Sequence, residues 1–144
     1  MTHYTLPENY VAACGCTADS THYPTAAMSQ AAFGSTRAYG PGCGQCFNLT
    51  LLNTYAPDPP FFPDVTKSVV IKVTDLCPTG GNGWCSATAG HPNQCVLFPF
   101  SLSAVIYFTC RGGQYINFDL AWPSSSIPSD FFPSNVSFYG YSVS

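Results

Sequence analysis

The stretch from Val69 to Cys85, Val-Val-Ile-Lys-Val-Thr-Asp-Leu-Cys-Pro-Thr-Gly-Gly-Asn-Gly-Trp-Cys, does most to limit what this chain can fold into. Val69, Val70, Ile71 and Val73 crowd β-branched side chains into one short run, the signature of a buried strand. The run ends by carrying a carboxylate, Asp75, to the strand end. After Pro78 the chain becomes a Gly-rich loop bounded by Cys77 and Cys85. A charged side chain at a strand end, followed by a clamped loop, is how a rigid scaffold presents chemistry. A solvated Asp closing a strand is the simpler alternative.

The rest of the chain repeats this scale. Thr2 to Thr5 alternates as a first strand, and residues 7–23 are turn-rich. Pro24 to Phe33 has helix-forming composition, with Pro24 or Thr25 at its start and Gly34 at its stop, and is expected as a helix. Gln45 to Leu52 alternates as a strand with Phe47, Leu49 and Leu51 on one face. Gln114 to Trp122 and Asn135 to Tyr141 are the later strands, with a short helical turn around Ser129 to Phe131 between them. Short strands, long Gly/Pro-rich loops and one modest helix indicate an all-β barrel or sandwich. With 144 residues the chain has room for one core.

Eight cysteines, at 14, 16, 43, 46, 77, 85, 95 and 110, bear on the compartment. Together with Asn-X-Ser/Thr sequons at Asn48 and Asn135 they read as a disulfide-stapled secreted domain, with the pairing left open. Cys14-Gly-Cys16 and Cys43-Gly-Gln-Cys46 have spacings that zinc also uses, but no His lies beside them and His3, His22 and His91 are scattered, so no metal is assigned. Met1 is followed directly by polar residues, so an apolar signal peptide is absent from this chain. The longest apolar run, Val96 to Phe108, is too short to span a membrane and is broken by Pro99, Ser101 and Ser103. A net charge of −3 offers no basic face, which disfavours nucleic acid. Only 8% of residues are charged while 15% are aromatic, a balance suited to a neutral partner such as a polysaccharide.

Asp75 and Asp119 are two acids in strand settings with apolar neighbours, while Glu8, Asp19, Asp58, Asp64 and Asp130 lie in loops. Cleaving a glycosidic bond needs a group that protonates the leaving oxygen and, with inversion, a base that activates water on the opposite face. A carboxylic acid does the first when apolar surroundings raise its pKa. Asp119 lies between Phe118 and Leu120, although strand alternation turns those two neighbours to the other face. Read from the residues alone, Asp119 is equally a structural acid, Asn82 a turn residue, and Trp84, Tyr115 and Trp122 either core rings or stacking platforms.

Lys72-Val73-Thr74-Asp75-Leu76-Cys77-Pro78, then Gly81-Asn82, then Asn117-Phe118-Asp119-Leu120 resembles the barwin-like endoglucanases of glycoside hydrolase family 45, especially the basidiomycete-type members, which are close in fold to expansins. Cys43-Gly-Gln-Cys46-Phe47 and the Thr2-His3-Tyr4 opening fit the same pattern, over roughly residues 2–94 and 112–142. The resemblance implies a six-stranded double-psi β-barrel with one short helix, disulfide-stapled loops and an open groove for a glucan chain. It implies Asp119 as the general acid, Asn82 as the base for water through an imidic-acid tautomer, and Asp75 as the acid that supports that base or shapes the groove. Tyr4, Trp84 and Tyr115 are the expected substrate-binding residues. Other members carry an acid just after the first-strand Thr-X-Tyr, where Thr5 and Leu6 stand here. The expected activity is therefore an inverting endo-β-1,4-glucanase on cellulose or a related β-glucan, with a non-hydrolytic, expansin-like loosening or glucan-binding protein as the alternative. No cofactor is implied, and a secreted monomer is expected, with no nucleic-acid or membrane partner.

Residues 1–144 are expected to form one such domain, incomplete at its C-terminal end, with an insertion at 95–111. Cys95 to Arg111 has no counterpart in the family pattern. Codons for Gln94-Cys95-Val96 can contain a splice donor and those for Cys110-Arg111 an acceptor, and excision keeps the frame, so a retained intron is the expected origin. A genuine hairpin closed by Cys95 and Cys110 is the alternative. As written, with that insertion and without the family's last strand, the chain is expected to be unstable and inactive.

Overall fold

The computed structural model describes residues 1–17, 22–54, 67–80, 83–86, 88, 90, 116–132 and 139–143, with 52–54, 83, 84 and 139–142 described as backbone alone. The suspected insertion at 95–111 with Cys95 and Cys110, the sequon at Asn135, and the expected site residues Asn82 and Tyr115 lie outside these residues.

β4 (Ser68–Cys77) is the strand expected from the β-branched run. Val69, Ile71 and Val73 are buried and Val70 is exposed, the period of two that a half-buried strand imposes. β3 (Cys46–Thr54) lies antiparallel beside it, with Cys46 opposite Lys72 and Thr50 opposite Ser68. β6 (Tyr139–Val143) extends the far side of β3 and ends two residues later than the sequence suggested.

The other flank of β4 corrects the expected helix over Pro24 to Phe33. Thr25–Ser29 is a strand, β2, and only Gln30–Phe33 is helical, as α1. Every residue of β2 is buried, between parallel β4 on one side and antiparallel β5 (Phe118–Ala121) on the other. The preference of Ala and Met for helix is a few tenths of a kcal/mol per residue, and two ladders of backbone hydrogen bonds override it. Gly34 does stop the helix, at φ 77° with its N–H bonded to the carbonyl of Gln30.

β1 (Thr2–Tyr4) pairs parallel with β5 at the other end, giving the order β1-β5-β2-β4-β3-β6. Among the described residues the sheet is open, with no pairing between β1 and β6. β5 is shorter than the expected Gln114 to Trp122: the backbone groups of Asn117 bond to Ser29, the last residue of β2, so the ladder begins only at Phe118. The helical turn expected near Ser129 to Phe131 is a simple turn closed by the Phe131 N–H on the Pro128 carbonyl.

One face of the sheet carries the main core, with Phe33, Leu49, Ile71, Val73, Phe118 and Leu120 all fully buried. Among the described residues two disulfides tie loops to the sheet, Cys14–Cys43 and Cys77–Cys85, while Cys16 and Cys46 are unbonded. No helix among the described residues is long and apolar enough to cross a membrane.

Candidate functional site

A bulge brings the two strand acids to the same face of the sheet. Regular alternation along β4 would put Asp75 on the core side with Ile71 and Val73. Ala26 pairs with Val73, but Ala27 pairs with Asp75, so Thr74 is the extra residue of a β-bulge. The side-chain period flips there. Leu76 then packs on the main core, while Asp75 and Cys77 join Ala27 on the opposite face. Asp119 reaches that face without irregularity, because its neighbours Phe118 and Leu120 take the core side of β5.

Thr2, Asp119, Ala27 and Asp75 consequently stand in one register row across β1, β5, β2 and β4. Two strand spacings, roughly 9.5 Å, separate the backbone positions of Asp75 and Asp119. Ala27 lies between them, and its methyl group leaves the ground between the carboxyls low. Both acids and Ala27 line a cavity of about 280 Å³, with Tyr4, Pro7, Tyr10, Leu76, Cys77 and Pro78 as the remaining walls.

The two acids have different surroundings. Asp75 is 4% exposed and saturated with donors. Its Oδ1 accepts the N–H of Ala13 at 2.8 Å and its own neighbour Leu76 at 2.9 Å, and its Oδ2 accepts the Tyr4 hydroxyl at 3.4 Å. Three donors on its two oxygens hold the Asp75 side chain in place. Burial, followed by the charges of Asp75 and Asp119, holds the Tyr4 phenol far above its ordinary pKa, so Tyr4 keeps the proton it donates.

Among the described residues Asp119 has one side-chain donor, the Thr2 hydroxyl at 2.7 Å on Oδ1. That hydroxyl in turn accepts from Nδ2 of Asn117 at 3.1 Å, which directs its proton toward Asp119. Burial raises the Asp119 pKa above the ordinary carboxylate value and outweighs the opposing Thr2 bond, His3 and the Met1 amine. The amine is itself discharged by burial, its pKa pushed down to about 4, so its pull fades above that pH. The site thus holds one carboxyl, Asp119, whose pKa burial raises, and a second, Asp75, fixed in place by three hydrogen bonds.

Of the expected site residues, Asp119, Asp75 and Tyr4 come together here. Trp84 lies in a 3-10 turn, Gly83–Ser86, whose Cys85 is bonded to Cys77 on the cavity wall. Trp122 is no open platform: it packs edge-on against His3 and Phe132 and its indole N–H bonds to the Pro128 carbonyl. Sequence reasoning quoted Asn117 in the family motif without giving it a role, and did not single out Ala27 or Tyr10. Asn117 carried a readable signal, since two residues before Asp119 places it on the same strand face. Among the described residues no group of three or more His, Cys, Asp or Glu converges as a metal site.

Residues 1–143 match the family described as EXPB1-like domain 1. Endoglucanase-5 of Hypocrea jecorina is 34% identical over 107 residues, which is 64% of this chain and 44% of that protein. The chain therefore spans less than half the length of that curated relative. The β-1,4-D-endoglucanase Cel45A of the blue mussel Mytilus edulis superposes with a TM-score of 0.64 at 22% identity, over 99% of this chain and 76% of the other. The GH45 endoglucanase EG27II, solved with cellobiose, superposes with a TM-score of 0.59 at 18% identity, over 99% and 77%. At these identities the two superpositions establish likeness of fold.

Proposed function

This chain belongs to the EXPB1-like domain 1 family, the barwin- and expansin-like group that includes the glycoside hydrolase family 45 endoglucanases, and we propose that it hydrolyses internal β-1,4 bonds of a glucan such as cellulose. The observation that carries this reading is the pairing, in one cavity, of Asp119, whose pKa burial raises, with Asp75, whose oxygens are held by three donors.

In the proposed reaction the Asp119 carboxyl gives its proton to the glycosidic oxygen as the bond from that oxygen to C1 breaks. A water attacks C1 from the opposite face, forms the new C–O bond and loses its proton to the base. Asn82 is proposed as that base, with Asp75 as the supporting charge and Tyr4, Trp84 and Tyr115 as contacts to the sugar. Inversion calls for about 6.5–9.5 Å between acid and base, enough to admit the water. The same reading takes the sheet as a six-stranded double-psi barrel and residues 1–144 as one domain interrupted at 95–111. It takes the protein as a secreted monomer, in keeping with its disulfides.

Reducing-sugar release from a soluble β-1,4-glucan tests the activity, and Asp119→Asn tests the acid. The variant is expected to lose about 10²–10⁴-fold in rate, the usual contribution of a general acid. The first-formed product should carry the α configuration at C1, read by NMR before mutarotation. Activity of the 144-residue chain would refute the expected inactivity of the form carrying 95–111, whereas no release from a folded form lacking 95–111 would defeat the hydrolytic reading and favour glucan binding or loosening without cleavage. An Asp119→Asn variant as active as the parent would remove Asp119 from the chemistry.

A further inference from the structure

We propose that Tyr10 is a sugar-stacking platform at the rim of the acid cavity, presented by a strap over residues 7–17 that also holds Asp75. The proposal rests on the reading of the cavity as a glucan site and extends it to a residue that neither the motifs nor the chemistry had singled out. Tyr10 is 46% exposed, belongs to neither buried apolar cluster, and lines the same cavity as Asp75 and Asp119. The charge of Asp75 is the main reason its phenol pKa is raised, which agrees with a ring that stands close to that carboxylate. A large ring left half in water beside two acids stabilises no core, but it offers an apolar face to a ligand.

The strap is unusually well fixed for a surface loop. The Tyr10 N–H closes a turn on the Pro7 carbonyl at 3.0 Å. Val11 bridges to Thr17, and the Ala12 N–H reaches the Cys16 carbonyl at 2.8 Å. Cys14 is anchored twice, by its N–H on the Thr74 carbonyl at 3.0 Å and by its disulfide to Cys43. Between these points the Ala13 N–H donates to Asp75 Oδ1. The segment that carries the ring is therefore the segment that orients the carboxylate, so little ordering cost remains when a ligand stacks there.

The chemistry of the walls selects the occupant. Besides Asp75, Asp119 and the two tyrosines, the described lining is alanine, leucine, proline and the disulfide-bonded Cys77, and no lysine or arginine stands among those described residues to receive an anion. A pyranose ring suits this mixture, with axial C–H bonds for the Tyr10 face and hydroxyls for the carboxylates. Tyr23, also exposed, is a weaker candidate because the Lys72 ammonium covers its ring at 5.1 Å.

The test measures binding of cellohexaose by isothermal titration calorimetry in an Asp119→Asn background, where cleavage does not interfere. Adding Tyr10→Ala should weaken binding about tenfold, equivalent to about 1.4 kcal/mol. Tyr10→Phe should bind within about twofold of the background protein, and both variants should melt at its temperature because the ring is not core. Unchanged affinity in Tyr10→Ala overturns the platform while leaving the glucan reading intact. Equal losses in Tyr10→Phe and Tyr10→Ala also overturn it, by assigning the contact to the hydroxyl. If the Asp119→Asn protein with Tyr10 intact takes up no cellohexaose, the glucan reading itself fails.

Discussion

Thr2→Val isolates the hydrogen bond that opposes proton retention at Asp119. Valine keeps the shape of threonine and replaces the hydroxyl with a methyl group. Thr2 is 4% exposed, so water does not replace the lost donor. Two partners are affected: Asp119 loses a 2.7 Å donor and the Asn117 amide loses its 3.1 Å acceptor. A hydrogen bond to a charged group contributes about 1.5–3 kcal/mol, against about 0.5–1.5 kcal/mol between neutral groups. The Thr2 bond favours the ionised form of Asp119, so its loss raises a pKa that burial has already raised. The sign for activity follows from the proposed role of Asp119 as acid: the alkaline limb of the pH–rate profile is expected to move to higher pH. The sign for stability follows from linkage. A folded-state pKa above the unfolded value means that the contribution of Asp119 is fully present below the unfolded pKa, near 3.8, and is lost as pH rises through the folded pKa. The variant adds to that loss. Its destabilisation, measured by urea unfolding, should grow from about 1 kcal/mol near pH 3 to about 3 kcal/mol near pH 7. An alkaline limb that stays put or moves to acid, or a destabilisation equal at both pH values, would refute the Asn117–Thr2–Asp119 chain.

Two further outcomes follow from the same geometry. Ala27→Leu should raise the floor between the carboxyls and lower kcat/KM on a soluble β-glucan by about 100-fold or more, the scale set by displacing reacting groups. It should cost only about 1–3 kcal/mol by overpacking, so circular dichroism should still show folded protein, and near-parental activity would mean the substrate does not run over Ala27. Replacing both Cys14 and Cys43 by serine opens a loop of sequence separation 29 and should cost about 3–4 kcal/mol by urea unfolding. The freed strap should also raise KM, and an unchanged KM would separate the strap from the site.

Much of the fold was legible because it is local. β4 announced itself through a β-branched run, and β3 through the alternation of Phe47, Leu49 and Leu51. The same alternation correctly turned Asp119 away from Phe118 and Leu120. β2 failed the same method because Ala26, Ala27 and Met28 suit a helix as well as a strand, and only their burial between two neighbouring strands decides the matter. The family pattern marked Asp75 as a site residue, yet periodicity alone would have sent it into the core with Ile71 and Val73.

What the sequence determined by itself was therefore chemistry and local period: which residues could be acids, which runs could be strands, and that cysteines would staple the loops. Tertiary structure decided the rest. It chose Cys14–Cys43 and Cys77–Cys85 among the possible pairings, placed the bulge that turns Asp75 outward, and set Thr2 opposite Asp119 across 117 residues of chain. It also folded the strap whose Ala13 N–H reaches Asp75 and whose Tyr10 overlooks it. Strand register and bulges arise from competition between ladders that involve distant segments, and no local window of sequence contains both sides of that competition.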